Sequence, residues 1–264
     1  FLYAEIKERY KKNVKEYFEF YGKLRTDLQD YNKKSLTIGS VDIGAGTTDV
    51  MIASYKYEDT AGQCLLTPVP LFWESFYKAG DDLLKNLIQT LIIEGKYSPI
   101  DSKIRKNGKN PIDLLQPFFG TDVGVSSSNR QLRSDFNLQI SVPIVSYFLE
   151  LLKEYKEESK ILSYGDIFSR NQPTQAVLNH FKNHFGFEFE SLQWLFERKT
   201  ISAIVEKTFE SLIGKISSLF SHYACDIVLL SGRPTSLKAL TDIFLKHYAI
   251  SPNRLKSMND YRVG

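Results

Sequence analysis

The sequence predicts an α/β fold, with a strand meander and a further buried strand set between helices. Three observations point to it. Residues 36–52 read as strand, tight Gly-rich turn, strand. Residues 200–223 carry a broad apolar stripe at helical spacing (Ile201, Ile204, Val205, Leu212, Ile213, Ile216, Leu219, Phe220). That helix runs into Cys225-Asp226-Ile227-Val228-Leu229-Leu230, a short apolar run of the kind a buried strand shows, and then into a Gly turn before a helix at Lys238 to Tyr248. A strand ending in a Gly turn before a helix is a common ligand-binding geometry in α/β sheets.

The 264 residues suffice for one large domain or two modest ones, and 42% hydrophobic with 25% charged residues is an ordinary globular composition. The net charge of +3 is too small to argue for nucleic acid or an anionic membrane. No apolar run reaches the roughly 18 to 20 residues needed to span a bilayer. The stretch from Phe1 does not read as a signal peptide. The first residue is Phe1, inside what reads as a helix, so a fragment of a longer protein is expected. Cys64 and Cys225 both stand in apolar settings and are expected as buried thiols of a reducing, cytoplasmic compartment.

Taken in order, Ile6, Tyr10, Val14, Tyr17, Tyr21 and Leu24 recur three and four apart, which predicts an amphipathic packing helix over residues 1–24. Polar Arg25 to Ser35 reads as a loop, with Lys33-Lys34 as a solvated turn. The second strand of the hairpin runs to about Tyr55. Glu58-Asp59-Thr60-Ala61-Gly62 makes the next turn, and a third strand around Cys64 to Leu71 completes an antiparallel meander. Lys78-Ala79-Gly80-Asp81-Asp82 heads a helix. Either aspartate suits an N-cap, and the glycine before them also permits a sugar or phosphate to approach.

From Gly95 to Leu132 the pattern is weak. The basic stretch Lys103 to Lys109 reads as an exposed loop, because no aromatic platform accompanies it. Ser126-Ser127-Ser128 lacks the context of a nucleophile. Helices follow at Ile140 to Tyr155 and Thr174 to His184. His180 and His184 stand four apart, but no Glu follows His180 and no third ligand is evident, so they read as surface histidines and not as a metal site.

Chemistry is concentrated at Asp42-Ile43-Gly44-Ala45-Gly46-Thr47-Thr48-Asp49. The first strand ends on a carboxylate, the turn is poor in side chains, and two hydroxyls and a second carboxylate follow. Backbone N–H groups exposed beside hydroxyls suit phosphate oxygens, and a nearby carboxylate suits hydrated Mg²⁺. The alternative is a hairpin whose glycines only make the turn. At Ser231-Gly232-Arg233, Arg233 suits stacking on an aromatic base, or is the surface arginine of an ordinary turn.

Together these segments resemble the actin-like ATPase superfamily, which includes actin, the 70-kDa heat-shock proteins and sugar kinases. Residues 42–49 are similar to its second phosphate motif. Ala79-Gly80-Asp81-Asp82 falls where the heat-shock proteins carry a Gly-Gly-acid-Asp helix start, and Leu229 to Thr235 is similar to the adenosine motif. A closer resemblance is to the bacterial SrfB-type virulence-factor family. It rests on Ser-Gly-Arg-Pro at 231–234 in place of the usual Gly-Gly-Ser-Thr, on Phe1-Leu2-Tyr3-Ala4-Glu5-Ile6, on Gln139 to Ile144 and on Tyr261-Arg262-Val263-Gly264. Ala45, where many relatives have a third glycine, is a mild departure.

The resemblance implies a ribonuclease H-like second lobe, a mixed sheet flanked by helices, over residues 1–90 and 200–264, with a largely helical, lid-like insertion over 91–199. It implies ATP and Mg²⁺ as cofactors. Gly44, Ala45 and Gly46 would meet the β- and γ-phosphates, with Thr47 and Thr48 adding hydroxyls. Asp42 would be the catalytic carboxylate, on the Mg²⁺ ion through water, and Asp49 a further carboxylate near the ions. Gly80, beside Asp81, would line the ribose, and Ser231, Gly232 and Arg233 would border the adenosine. The superfamily's first phosphate motif, from an N-terminal lobe, is not in this chain. That lobe of the same protein is therefore the expected partner, alongside a protein client or assembly partner. The chain by itself is expected to bind ATP weakly and hydrolyse it negligibly. Rival expectations are a degenerate actin-like scaffold, a filament-forming ATPase and a chaperone-like ATPase.

Overall fold

In the computed structural model, which describes residues 1–9, 13–26, 28, 32–60 and 63–258, the strand–turn–strand stretch is the centre of a mixed sheet. β1 (Leu36–Ile43) pairs antiparallel with β2 (Thr48–Thr60), and β2 pairs antiparallel with β3 (Gln63–Phe76). β4 (Ser159–Ser163) and β5 (Gln193–Glu197) form a separate two-stranded antiparallel sheet. β6 (Ile227–Ser231) then returns to lie parallel to β1, and β7 (Leu255–Ser257) lies parallel to β6. The order is β3-β2-β1-β6-β7, with β2 alone running opposite. β3 is longer than the expected Cys64 to Leu71 and carries Pro68 and Pro70, which an edge strand tolerates because its outer N–H groups need no ladder partner. β2 runs through Glu58, Asp59 and Thr60, so the expected turn starts later; Ala61 and Gly62 lie outside the described residues.

The chain divides into two units, Phe1–Asp81 with Phe209–Gly264, and Asp82–Thr208. In the first, α1 (Leu2–Arg9) and α2 (Val14–Tyr21) replace the single helix expected over 1–24. Asn13 caps α2, its side chain accepting the Glu16 N–H at 3.1 Å. Gly22 ends α2 in extended backbone, where an added Cβ would lie 2.6 Å from the Ser35 carbonyl oxygen. Leu24, beyond this stop, is exposed, and Tyr10 lies outside the described residues. Leu2, Ile6, Tyr17, Phe18 and Tyr21 pack on Leu36 and Ile38 of β1. The Lys33-Lys34 pair is not a free solvated turn. Lys34 pairs with Glu19 at 3.1 Å, and the Lys33 ammonium lies 5.3 Å from the centre of the Tyr57 ring.

The second unit is built from short helices. α3 (Gly80–Ile88) continues as a π turn at Gln89–Ile93. α4 (Pro99–Lys106), α5 (Pro111–Phe119) and α6 (Ser127–Phe136) fill the stretch where the sequence pattern is weak. Side chains of Ser98, Asn110 and Ser126 cap them, so Ser126 has a structural task. The basic stretch is thus largely helical. Lys103, Arg105 and Lys106 fall in the last turn of α4, where cations suit the carbonyl end. A π turn at Asn137–Ser141 leads into α7 (Val142–Glu154), and α8 (Tyr164–Phe168) and α9 (Gln175–Phe185) follow.

An aromatic core holds this unit together, with Phe136 stacked on Phe181 at 5.7 Å and 8°. The two histidines belong to it and are not simple surface groups. His180 stacks on Phe118 at 5.2 Å, and His184 Nε2 lies 2.7 Å from the Leu114 carbonyl oxygen. Burial first, then the neighbouring His184 and Arg133, hold the His180 imidazole below its usual range.

α10 (Arg198–His222) and α11 (Lys238–His247) match the long stripe and the last predicted helix. Phe220 of α10 lies directly on Gly39 of β1, where an added Cβ would come 2.6 Å from the ring. Gly39→Ala is therefore expected to cost about 1–3 kcal/mol by overpacking. Phe220→Leu in the same chain should recover part of that loss, measurable as non-additive shifts in denaturant midpoint. Asp226, at the head of β6, is buried; its carboxylate accepts the Thr37 N–H at 2.9 Å and pairs with Lys23 at 3.0 Å. Burial nevertheless pushes its carboxyl above the usual range.

Of the two cysteines, Cys225 matches the expected burial and Cys64 does not. Cys225 is buried, and burial with the adjacent Asp226 pushes its thiol up to about 12. Cys64 is exposed, because it sits on the edge strand β3. A thiol reagent at neutral pH is expected to modify Cys64 alone in the native protein, and Cys225 as well only after denaturation, as read by mass spectrometry.

Candidate functional site

The first unit brings the motif residues to one end of its sheet. β1 and β6 run parallel and end together. The chain leaves β1 towards β2 on one side, and leaves β6 through α11 towards β7 on the other. In open α/β sheets ligands commonly bind outside the carboxyl ends of strands whose connections diverge in this way.

Three polar residues line up across the strands there. Asp42 faces Asp49 in the antiparallel register and Ser231 in the parallel one. Directly opposed residues share a face, so two carboxylates stand side by side, an arrangement that like-charge repulsion disfavours without compensation. Hydroxyls supply some of it. The Ser231 hydroxyl donates to Asp42 Oδ1 at 2.9 Å, the Thr47 hydroxyl to Asp49 Oδ2 at 3.4 Å, and the Ser75 hydroxyl to Asp49 Oδ1. Asp42 remains exposed and Asp49 half-buried. Two carboxylates are too few for a direct metal cage, and no group of three or more His, Cys, Asp or Glu suited to a metal occurs among the described residues. The pair can hold a divalent cation through its water shell.

The three loops meet one another. The N–H of Gly80 donates to the Gly44 carbonyl at 2.9 Å and that of Asp81 to the Ala45 carbonyl at 2.8 Å. A Cβ at Gly80 would lie 3.0 Å from the Gly44 oxygen, 3.6 Å from Pro234 and 3.7 Å from the Ala45 Cα. α3 begins at Gly80, so Asp81 and Asp82 occupy its first turn and do not precede it. The Thr48 hydroxyl donates to the Lys78 carbonyl at 2.6 Å and Thr48 is fully buried. This hydroxyl therefore anchors the segment that carries Gly80 and does not face the turn. Within the turn, the Gly44 N–H is committed to the Thr47 carbonyl at 2.9 Å. The N–H groups of Ala45, Gly46 and Thr47 make no backbone hydrogen bond among the described residues and are the donors left to a ligand.

Glycine has different reasons at two of these positions. At Gly232, φ is +92° and an added Cβ would lie 2.1 Å from the Ile43 carbonyl oxygen, so the fold demands glycine. At Gly46 an added Cβ would meet nothing within 4 Å, so packing sets no such demand. Arg233 is exposed and opens the 3₁₀ turn Arg233–Ser236, which the Thr235 hydroxyl fastens to the Gly232 carbonyl at 2.7 Å. Sequence reading did not include Ser75 or Pro234 in the site. Ser75 becomes visible only through the Asp49↔Ser75 register of β2 and β3.

This is an α/β protein with a mixed five-stranded sheet, one end of which carries paired carboxylates beside a turn with unpaired backbone donors. The sequence matches the family described as virulence factor SrfB over residues 1–264, and the chain belongs to that family. The matched span includes Tyr261-Arg262-Val263-Gly264, which lies outside the described residues. Among curated proteins no sequence matches it significantly. No helix among the described residues is long and apolar enough to cross a membrane.

Proposed function

We propose that the unit of residues 1–81 and 209–264 is the nucleotide-binding lobe of an actin-like, ribonuclease H-like ATPase, and that it forms one wall of an ATP cleft. The observation that carries this reading is the convergence of the three motif loops, with Gly80 and Asp81 hydrogen-bonded to Gly44 and Ala45 and Gly80 seated against Pro234. A meander extended by parallel strands is also the mixed sheet this reading expects. Gly46, a glycine that packing does not require, finds a reason as a place where a phosphate approaches the backbone.

On this reading the Ala45 and Gly46 N–H groups hold phosphate oxygens, while Gly232, Arg233 and Gly80 border the nucleoside. Asp42, oriented by Ser231, holds water at the site. A bound Mg²⁺ would neutralise phosphate charge and relieve the repulsion between Asp42 and Asp49. Phosphoryl transfer rests on positioning and charge neutralisation, so one wall alone supplies only part of what catalysis needs. The opposite wall, with a first phosphate motif, is proposed to come from another lobe of the same protein.

Calorimetric titration with MgATP tests this. Residues 1–264 alone are expected to bind weakly, and the two-lobe protein tightly. Gly46→Ala should weaken binding in the two-lobe protein by about tenfold without loss of stability. Tight binding by residues 1–264 alone would refute the shared cleft. Absence of binding by the two-lobe protein would leave a scaffold that acts through protein contacts, a reading favoured by the unusual Arg233-Pro234 turn.

A further inference from the structure

The second unit holds a cleft of about 330 Å³ that the nucleotide reading does not use. Its lining comes from two stretches: Lys96, Ser102, Lys103 and Lys106 in and before α4, and Gln193 and Leu195 of β5. Three lysines and no carboxylate line it. Glu197, the last residue of β5, accepts instead from the hydroxyls of Tyr97, at 3.1 Å, and Thr200.

The β5 edge is open. The Arg198 N–H donates to the Glu158 carbonyl at 2.8 Å. In an antiparallel ladder, hydrogen-bonded and non-bonded pairs alternate. The bonded pairs are therefore Phe196 with Lys160 and Trp194 with Leu162, and the N–H and C=O groups of Gln193 and Leu195 point away from β4. Among the described residues no third strand pairs with this edge. Leu195 and Ile161, opposite each other on the outer face, are 42% and 65% exposed. Edge strands are commonly blunted by lysines on the strand itself. β5 carries none, and these face it from the loop before α4 and from α4.

We propose that β5 accepts an extended acidic peptide as a third strand of the β4–β5 sheet, with its carboxylates set against Lys96, Lys103 and Lys106 and an apolar side chain on Leu195. Main-chain pairing supplies affinity in this mode, and the flanking lysines select the charge.

Anisotropy of a fluorescein-labelled Glu-Val-Glu-Val-Glu-Val peptide, titrated with the 264-residue chain, tests the proposal. Saturable binding is expected, and none for the same peptide with Lys in place of Glu. N-methylation of alternate peptide nitrogens should weaken binding by about tenfold or more, and so should Lys96→Glu combined with Lys106→Glu. Both lysines are exposed, and an unchanged circular dichroism spectrum checks that the variant is folded. Binding indifferent to N-methylation or to the charge reversal would overturn the proposal. So would equal competition by an oligothymidylate of the same length, which would assign the cleft to phosphate.

Discussion

Gly232→Ala is expected to cost more than about 3 kcal/mol, enough to unfold a marginal protein. Two costs combine. A φ of +92° disfavours any side chain, and the new Cβ would lie 2.1 Å from the oxygen, 2.7 Å from the carbon and 3.0 Å from the nitrogen of Ile43. Ile43 cannot retreat, because it ends a strand paired through Thr48 to β2. Chemical denaturation should show a large fall in midpoint, or no folded protein at all. The control is Gly46→Ala, which meets nothing within 4 Å and should stay within about 0.5 kcal/mol of the parent. Equal stability for the two variants would refute the described packing of the turn after β6 on β1.

On the proposed ATPase reading, Asp42→Asn in the two-lobe protein should lower MgATP hydrolysis by about 10²–10⁴-fold, followed as phosphate release. The amide retains an acceptor for the Ser231 hydroxyl, and Asp42 is exposed, so folding should be untouched. Removing one charge from the Asp42–Asp49 pair would if anything stabilise the strand ends. A change in hydrolysis with unchanged stability separates a chemical role from a structural one. An unchanged rate would place the chemistry at another site, whereas absence of hydrolysis in the parent protein would favour the scaffold reading.

Much of the sheet was legible because its signals are local. The Gly-Ala-Gly turn, the stripe of α10 and the apolar run of β6 lie in contiguous residues. The stretch 95–132 was not legible as helices, although Ser98-Pro99 and Asn110-Pro111 are good helix starts. Helices of eight to ten residues are too short to show a clear apolar period. β4 and β5 escaped for a similar reason. Each has five residues, and β4 buries only Leu162, so its alternation carries little signal. The exposure of Cys64 was invisible because nothing local tells an edge strand from a central one.

At the turn between β1 and β2, the residue types alone say which groups are present: two carboxylates, two hydroxyls and a backbone nearly bare of side chains. Which of them remain available follows from packing against distant segments. Thr48 is spent on Lys78, the Gly44 N–H on Thr47, and the Gly44 and Ala45 carbonyls on the start of α3, which leaves the N–H groups of Ala45, Gly46 and Thr47 and the exposed Asp42 carboxylate. Several of those partners lie thirty or more residues away, and a backbone donor's availability depends on what the rest of the chain brings to it.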